Sequence, residues 1–105
     1  MSDITLSGLN ASSYRVANAA NNIANAETED FQAKDVVTNT LSSGGVEAVR
    51  VDRPISPFAP LPNVDLSEEL INVQRAAQAY EAGAAVLKVE NGLHDTLIEA
   101  FDDKV

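Results

Sequence analysis

The chain carries one histidine, His94. Glu90 precedes it by four residues and Asn91 by three, so on a helix Glu90 and His94 share a face, as ligands in the metal centres of carboxylate helical bundles do. Such centres draw about four carboxylates and two histidines from several helices, so one Glu and one His complete a site only by oligomerisation. As a polar interruption of a packed seam the pair needs nothing further. We take that reading, with no metal and no cofactor expected. Nucleophilic catalysis has weaker footing. Ser12 and Ser13 lie inside a helical pattern rather than in the Gly-x-Ser-x-Gly turn that exposes a nucleophile, and Asp95 falls on a different side of the helix from His94. Gly44-Gly45 lacks the Lys and Ser/Thr of a phosphate loop and reads as a turn. The acidic groups Glu27, Glu29, Asp30 and Asp102, Asp103 lack calcium-loop spacing and read as solvated surface. Pro54-Ile55-Ser56-Pro57 and Pro57-Phe58-Ala59-Pro60 both have the P-x-x-P form that docks in aromatic grooves. Any proline-rich spacer produces that form, and spacer is the reading. No enzyme is expected.

Composition narrows the remainder. The 105 residues suffice for one domain, expected over 1–105. Sixteen acids against seven bases, net −9, argue against binding nucleic acid or an anionic membrane through a basic surface. The absence of cysteine excludes disulfides, thiolate zinc sites and cysteine nucleophiles. The apolar content is 45% but only 5% is aromatic, so much of it is small side chains suited to close helix packing. Apolar runs fall well short of the ~18–20 residues that cross a bilayer, so no membrane insertion is expected. Met1-Ser2-Asp3-Ile4-Thr5 has neither a basic nor a continuous apolar stretch, and the expectation is that the classical secretory route is not used.

The elements follow from periodicity. Over residues 3–26, Leu6, Leu9, Ser13, Val16, Ala20 and Ile23 step by 3, 4, 3, 4 and 3, a heptad seam with one polar interruption and Asp3 at its start. Residues 31–53 alternate like two short strands about the turn-rich Asn39–Gly45, predicting a β-hairpin that must lean on something. Pro54, Pro57, Pro60 and Pro62 make 54–63 a stiff connector. Asp65-Leu66-Ser67-Glu68 is an acidic capping box opening a helix over 65–101. There Leu66, Leu70, Val73, Ala77, Tyr80, Ala84, Leu87, Asn91, His94, Ile98 and Phe101 alternate steps of 4 and 3, nine of the eleven apolar. At 1.5 Å per residue the rod is roughly 55 Å long, against ~35 Å for the first helix. The predicted class is mainly α, an antiparallel two-helix coiled-coil hairpin with a small β-hairpin and proline-rich connector. Its pairing is expected at Leu6, Leu9, Val16, Ile23, Leu70, Val73, Tyr80 and Leu87.

Two features exceed what one hairpin needs. Val86, Val89, Leu93 and Leu97 form a second apolar stripe on the long helix, which one partner helix does not cover. Asn18, Asn22 and Asn25 recur at i, i+4 and i+7 on a face neither charged nor apolar, where buried amides can fix register. Asn18, Asn22, Asn25, Val86 and Leu93 are therefore the expected subunit contacts.

The two ends also resemble a known family. Leu6-Ser7-Gly8-Leu9-Asn10-Ala11 followed by Ala20-Asn21-Asn22-Ile23-Ala24-Asn25-Ala26 is similar to the N-terminal signature of bacterial flagellar axial proteins, the rod and hook family. Val64-Asp65-Leu66-Ser67-Glu68-Glu69-Leu70, running on to Ala79-Tyr80-Glu81-Ala82, resembles its C-terminal signature. The short insert is most like a small proximal rod protein. The resemblance implies a structural subunit of the basal-body rod whose terminal helices pair and pack into a helical tube. It implies partners in itself and other axial proteins, export by the flagellar type III apparatus without cleavage, and a place in the periplasm-spanning rod. An adaptor of the cytoplasm, regulating export or assembly, is the alternative. Where the family has Thr-Pro-Gly-Tyr this chain has Thr28-Glu29-Asp30-Phe31, which puts the turn after the first helix in question.

Overall fold

A computed structural model describes residues 2–102. In chain order the elements are α1 (Ser2–Ala24), β1 (Lys34–Thr40), β2 (Val46–Asp52) and α2 (Leu66–Asp102). This is the expected class, two helices and a β-hairpin. Asp103, at the end of one acidic group, lies outside the described residues.

α1 ends without glycine. The Asn25 N–H is shared between the carbonyls of Asn21 and Asn22, each at 3.2 Å, and the Asn25 side chain donates to Asn21 O at 2.9 Å. The Thr28–Phe31 turn then closes with Phe31 N–H on Thr28 O at 3.2 Å, and Asp30 takes φ 61°. Asp30 thus occupies, in the left-handed region, the place the rod and hook pattern gives to Gly. Asp is among the few non-glycine residues that tolerate it. The turn survives the loss of Pro-Gly.

β1 and β2 pair antiparallel from Lys34↔Asp52 to Thr40↔Val46. The tip folds by Gly44 N–H on Leu41 O (2.9 Å) and Leu41 N–H on Gly45 O (2.8 Å). Gly44 has φ 96°. After the connector, Asp65 caps α2, its Oδ1 accepting from the Ser67 N–H at 3.0 Å and the Glu68 N–H at 3.3 Å.

α1 lies between α2 on one side and the hairpin on the other. Leu9 packs on Gly83, and the Thr5 hydroxyl donates to Glu90 Oε1 at 2.9 Å, so the two helices run antiparallel. With 37 residues against 23, α2 outruns α1, and the last residues of α2 project past the start of α1. The molecule is 70 Å long and 16 Å in its thinnest direction. Its core is small: among the described residues, Leu9, Ala11, Ala19, Ala33 and Ala76 are the buried apolar ones, joined by buried Ser12, Asn18, Asn22, Asn63 and Glu69.

Candidate assembly interface

The helix pairing rests on a heptad that differs from the one built of large residues. Glu69, Ala76, Gly83 and Glu90 recur every seven residues along α2, with Glu69 fully buried and Ala76 at 4% exposure. Facing them, α1 presents Thr5, Ser12 and Ala19, also seven apart, with Leu9, Val16 and Ile23 alongside. A Cβ added to Gly83 would lie 2.9 Å from Leu9 Cδ2, so the backbones meet as closely as Leu9 allows. Among the residues expected in the pairing, Leu9 is buried, and Val16, Ile23, Val73 and Leu87 are half-buried. Leu6, Leu70 and Tyr80 are instead exposed at 43%, 61% and 45%. Ser, Ala and Gly let the helix axes approach, which turns the neighbouring large residues outward.

A polar node clamps the base of the hairpin to α2. Arg53, just past β2, donates through Nε (3.0 Å) and Nη2 (2.8 Å) to Asp35 Oδ1, through Nη2 to Glu69 Oε1 (2.7 Å), and through Nη1 to Asn63 O (3.2 Å). Burial alone lowers the pKa of this guanidinium. The hydrogen bonds to Asp35 and then Glu69, with their negative charges, outweigh burial and raise it above its ordinary value. Arg53 is a permanent cation. Asn63 Oδ1 accepts the Ala33 N–H at 2.6 Å, and Gln32 donates to Arg53 O at 2.8 Å. Sequence reasoning passed over Arg53, Asp35, Glu69, Asn63 and Gln32, because no periodicity marks a polar residue that is buried by a partner distant in sequence.

The asparagines divide. Asn22, with no exposure, donates Nδ2 to Lys34 O (2.8 Å) and accepts the Lys34 N–H on Oδ1 (3.1 Å); Asn18 donates to the same carbonyl at 2.9 Å. They fix the hairpin on α1, and Asn22 has no surface left for another subunit. The expected contact at Asn22 is corrected accordingly. Asn25, half-buried, is engaged with Asn21 and Thr28 at the end of α1. The register is continued along the hairpin by Arg15 on Val36 O (3.0 Å), by Arg50 over the Tyr14 ring (5.1 Å), and by Ser7 Oγ accepting the Val46 N–H (3.1 Å).

What the fold leaves outside is large and apolar. On α2, Val86, Val89, Leu93, Leu97 and Phe101 are 50–73% exposed. His94 borders a shallow hollow with Leu97, Ile98 and Phe101, while Glu90 is tied to Thr5. Among the described residues no three of His, Cys, Asp and Glu converge on a point. α1 also keeps an open side, where Leu6, Asn10, Ser13, Ala17, Ala20 and Ala24 are exposed.

No protein-family model matches the chain. Full-length relatives do. The flagellar basal-body rod protein FlgC of Yersinia enterocolitica is 30% identical over 118 aligned residues, covering 87% of this chain and 88% of that protein. FlgC of Escherichia coli O157:H7 and of Salmonella typhimurium are each 30% identical, covering 81% of this chain and 84% of theirs. The chain belongs to the FlgC family of flagellar basal-body rod proteins. Membership identifies it as a structural, non-enzymatic protein of the basal-body rod.

Proposed function

We propose that this protein is a rod subunit that assembles through its paired terminal helices into a helical tube, with neighbouring subunits covering the outer stripe of α2. Supporting this reading above all is the inversion of the apolar surface: alanines fill the interior while Val86, Val89, Leu93, Leu97 and Phe101 stand exposed. A monomer that kept such a strip in water would carry an aggregation liability. Leu9, Val16, Ile23, Val73 and Leu87 hold the helix pair, and Leu6, Leu70 and Tyr80 join Val86 and Leu93 in contacts between subunits. Self and other axial proteins are the partners, the flagellar type III apparatus exports the chain without cleavage, and the rod it enters spans the periplasm. Torque then passes through subunit contacts, and no catalytic step is required.

Leu93→Asp tests the reading. Leu93 is 60% exposed, so the folded chain tolerates the change while the stripe does not. Wild-type protein is expected to co-purify with basal bodies and restore swimming to a deletion strain. Leu93→Asp should keep native helicity and do neither. Wild-type protein confined to the cytosol would favour the adaptor reading, and full rescue by Leu93→Asp would remove the stripe from the assembly.

A further inference from the structure

We propose that the outer stripe of α2 docks on the open face of α1 in a second copy of this chain, an inference that rests on the assembly reading above and names the surface that meets the stripe. The two faces match in three respects. Both are nearly free of charge. Between Ile4 and Ala26 the only charged residue is Arg15, and it is turned to the hairpin, where it donates to Val36 O. On α2, helical geometry puts Lys88, Asp95, Glu99 and Asp102 on the side opposite the stripe, and Glu90, which borders it between Val86 and Leu93, is half-buried and accepts the Thr5 hydroxyl of its own α1. In a chain of net charge −9, two copies can meet at these faces without opposing carboxylates.

Side-chain size is complementary as well. α2 offers Val86, Val89, Leu93 and Leu97, whereas α1 offers exposed Ser13, Ala17, Ala20 and Ala24. Bulky ridges seat against small residues where helices pack closely. The spacing matches third. Laid antiparallel, Val86 falls over Ala24, Val89 over Ala20, Leu93 over Ala17 and Leu97 over Ser13, all four layers in step. The stripe contributes roughly 400–500 Å², about half of the ~800 Å² each partner gives to a standard interface. One such contact is weak alone and gains strength by repetition. Because the two faces differ, each copy keeps one of each free, and the contact propagates from copy to copy.

The native chain has no cysteine, so cross-linking reads the contact directly. Leu93→Cys and Ala17→Cys chains, oxidised together at high concentration, should link at least ten times more than either alone, and the double variant should give a ladder of oligomers. Leu97→Cys with Ser13→Cys should link likewise, and Lys88→Cys with Ala17→Cys should not. Linking of Leu93→Cys to itself as efficiently as to Ala17→Cys would overturn the proposal in favour of a symmetric α2–α2 pair. No linking, in solution or in isolated basal bodies, would also overturn it. If the unlinked variants are nevertheless present in basal bodies, only the contact between copies fails. If they are absent while wild type is also absent, the rod reading fails with it.

Discussion

Replacing Arg53 with Met should unlatch the hairpin base from α2. The Arg53 side chain is 14% exposed and Glu69, which it pairs, has a side-chain exposure of 0%. In Arg53→Met the Glu69 carboxylate loses its charge partner while remaining fully enclosed. Asp35, at 41% exposure, turns to water at little cost. Breaking one side of a buried ion pair costs about 3–5 kcal/mol, because the surviving charge stays desolvated. Folded domains in general are stable by roughly 5–15 kcal/mol, so the loss is a large share. Urea unfolding followed by helical circular dichroism should therefore show the midpoint falling by about 2–5 M, given a slope near 1–1.5 kcal/mol/M for a chain this size. Arg53→Met/Glu69→Met removes the stranded charge and fills similar volume, so it should return to within about 1–2 kcal/mol of wild type. A single variant within 1 kcal/mol of wild type, or a double variant no better than the single, would refute the claim that this ion pair ties the hairpin to the helix.

Four further outcomes are expected. Gly83→Val should destabilise by about 1–3 kcal/mol, because its side chain would press on Leu9; Gly92→Ala, where an added Cβ meets nothing within 4 Å, should instead stabilise by ~1 kcal/mol through helix propensity. Thermal unfolding of the two variants separates the signs. Asn22→Ala should cost about 1–3 kcal/mol, since it strips the Lys34 N–H and C=O of a buried partner. Hydrogen exchange at Lys34 should accelerate in parallel. Asp30→Gly should stabilise by about 0.5–1 kcal/mol, the left-handed penalty relieved less the extra entropy of glycine in the unfolded chain. A destabilised Asp30→Gly would mean that the Asp30 side chain contributes more than its backbone strain costs.

The class of fold was legible from one end of the chain to the other. The 3–4 periodicity announced both helices, Asp65 marked the start of α2 and caps it, and alternating Val36–Thr38 and Val46–Val51 announced the hairpin. The family signatures at the two termini were equally plain, since local sequence carries them. Which residues of each helix would be buried was not plain. A hydrophobic pattern weights large side chains, so it chose Leu70 and Tyr80. The chain pairs through Glu69, Ala76 and Gly83, whose advantage is that they are small or can be neutralised by a distant arginine.

By itself, then, the sequence determined the elements, their order, the antiparallel helix pair and the family, all of which are written in local propensity and short-range repeats. Tertiary structure alone decided that Asn18 and Asn22 serve the hairpin, that Arg53 joins Asp35 to Glu69 across sixteen to eighteen residues, and that Leu6, Leu70 and Tyr80 face outward. The reason is geometric. Helix periodicity states which residues share a face, but which face turns inward depends on how closely two backbones can approach, and that distance exists only once both helices are in place.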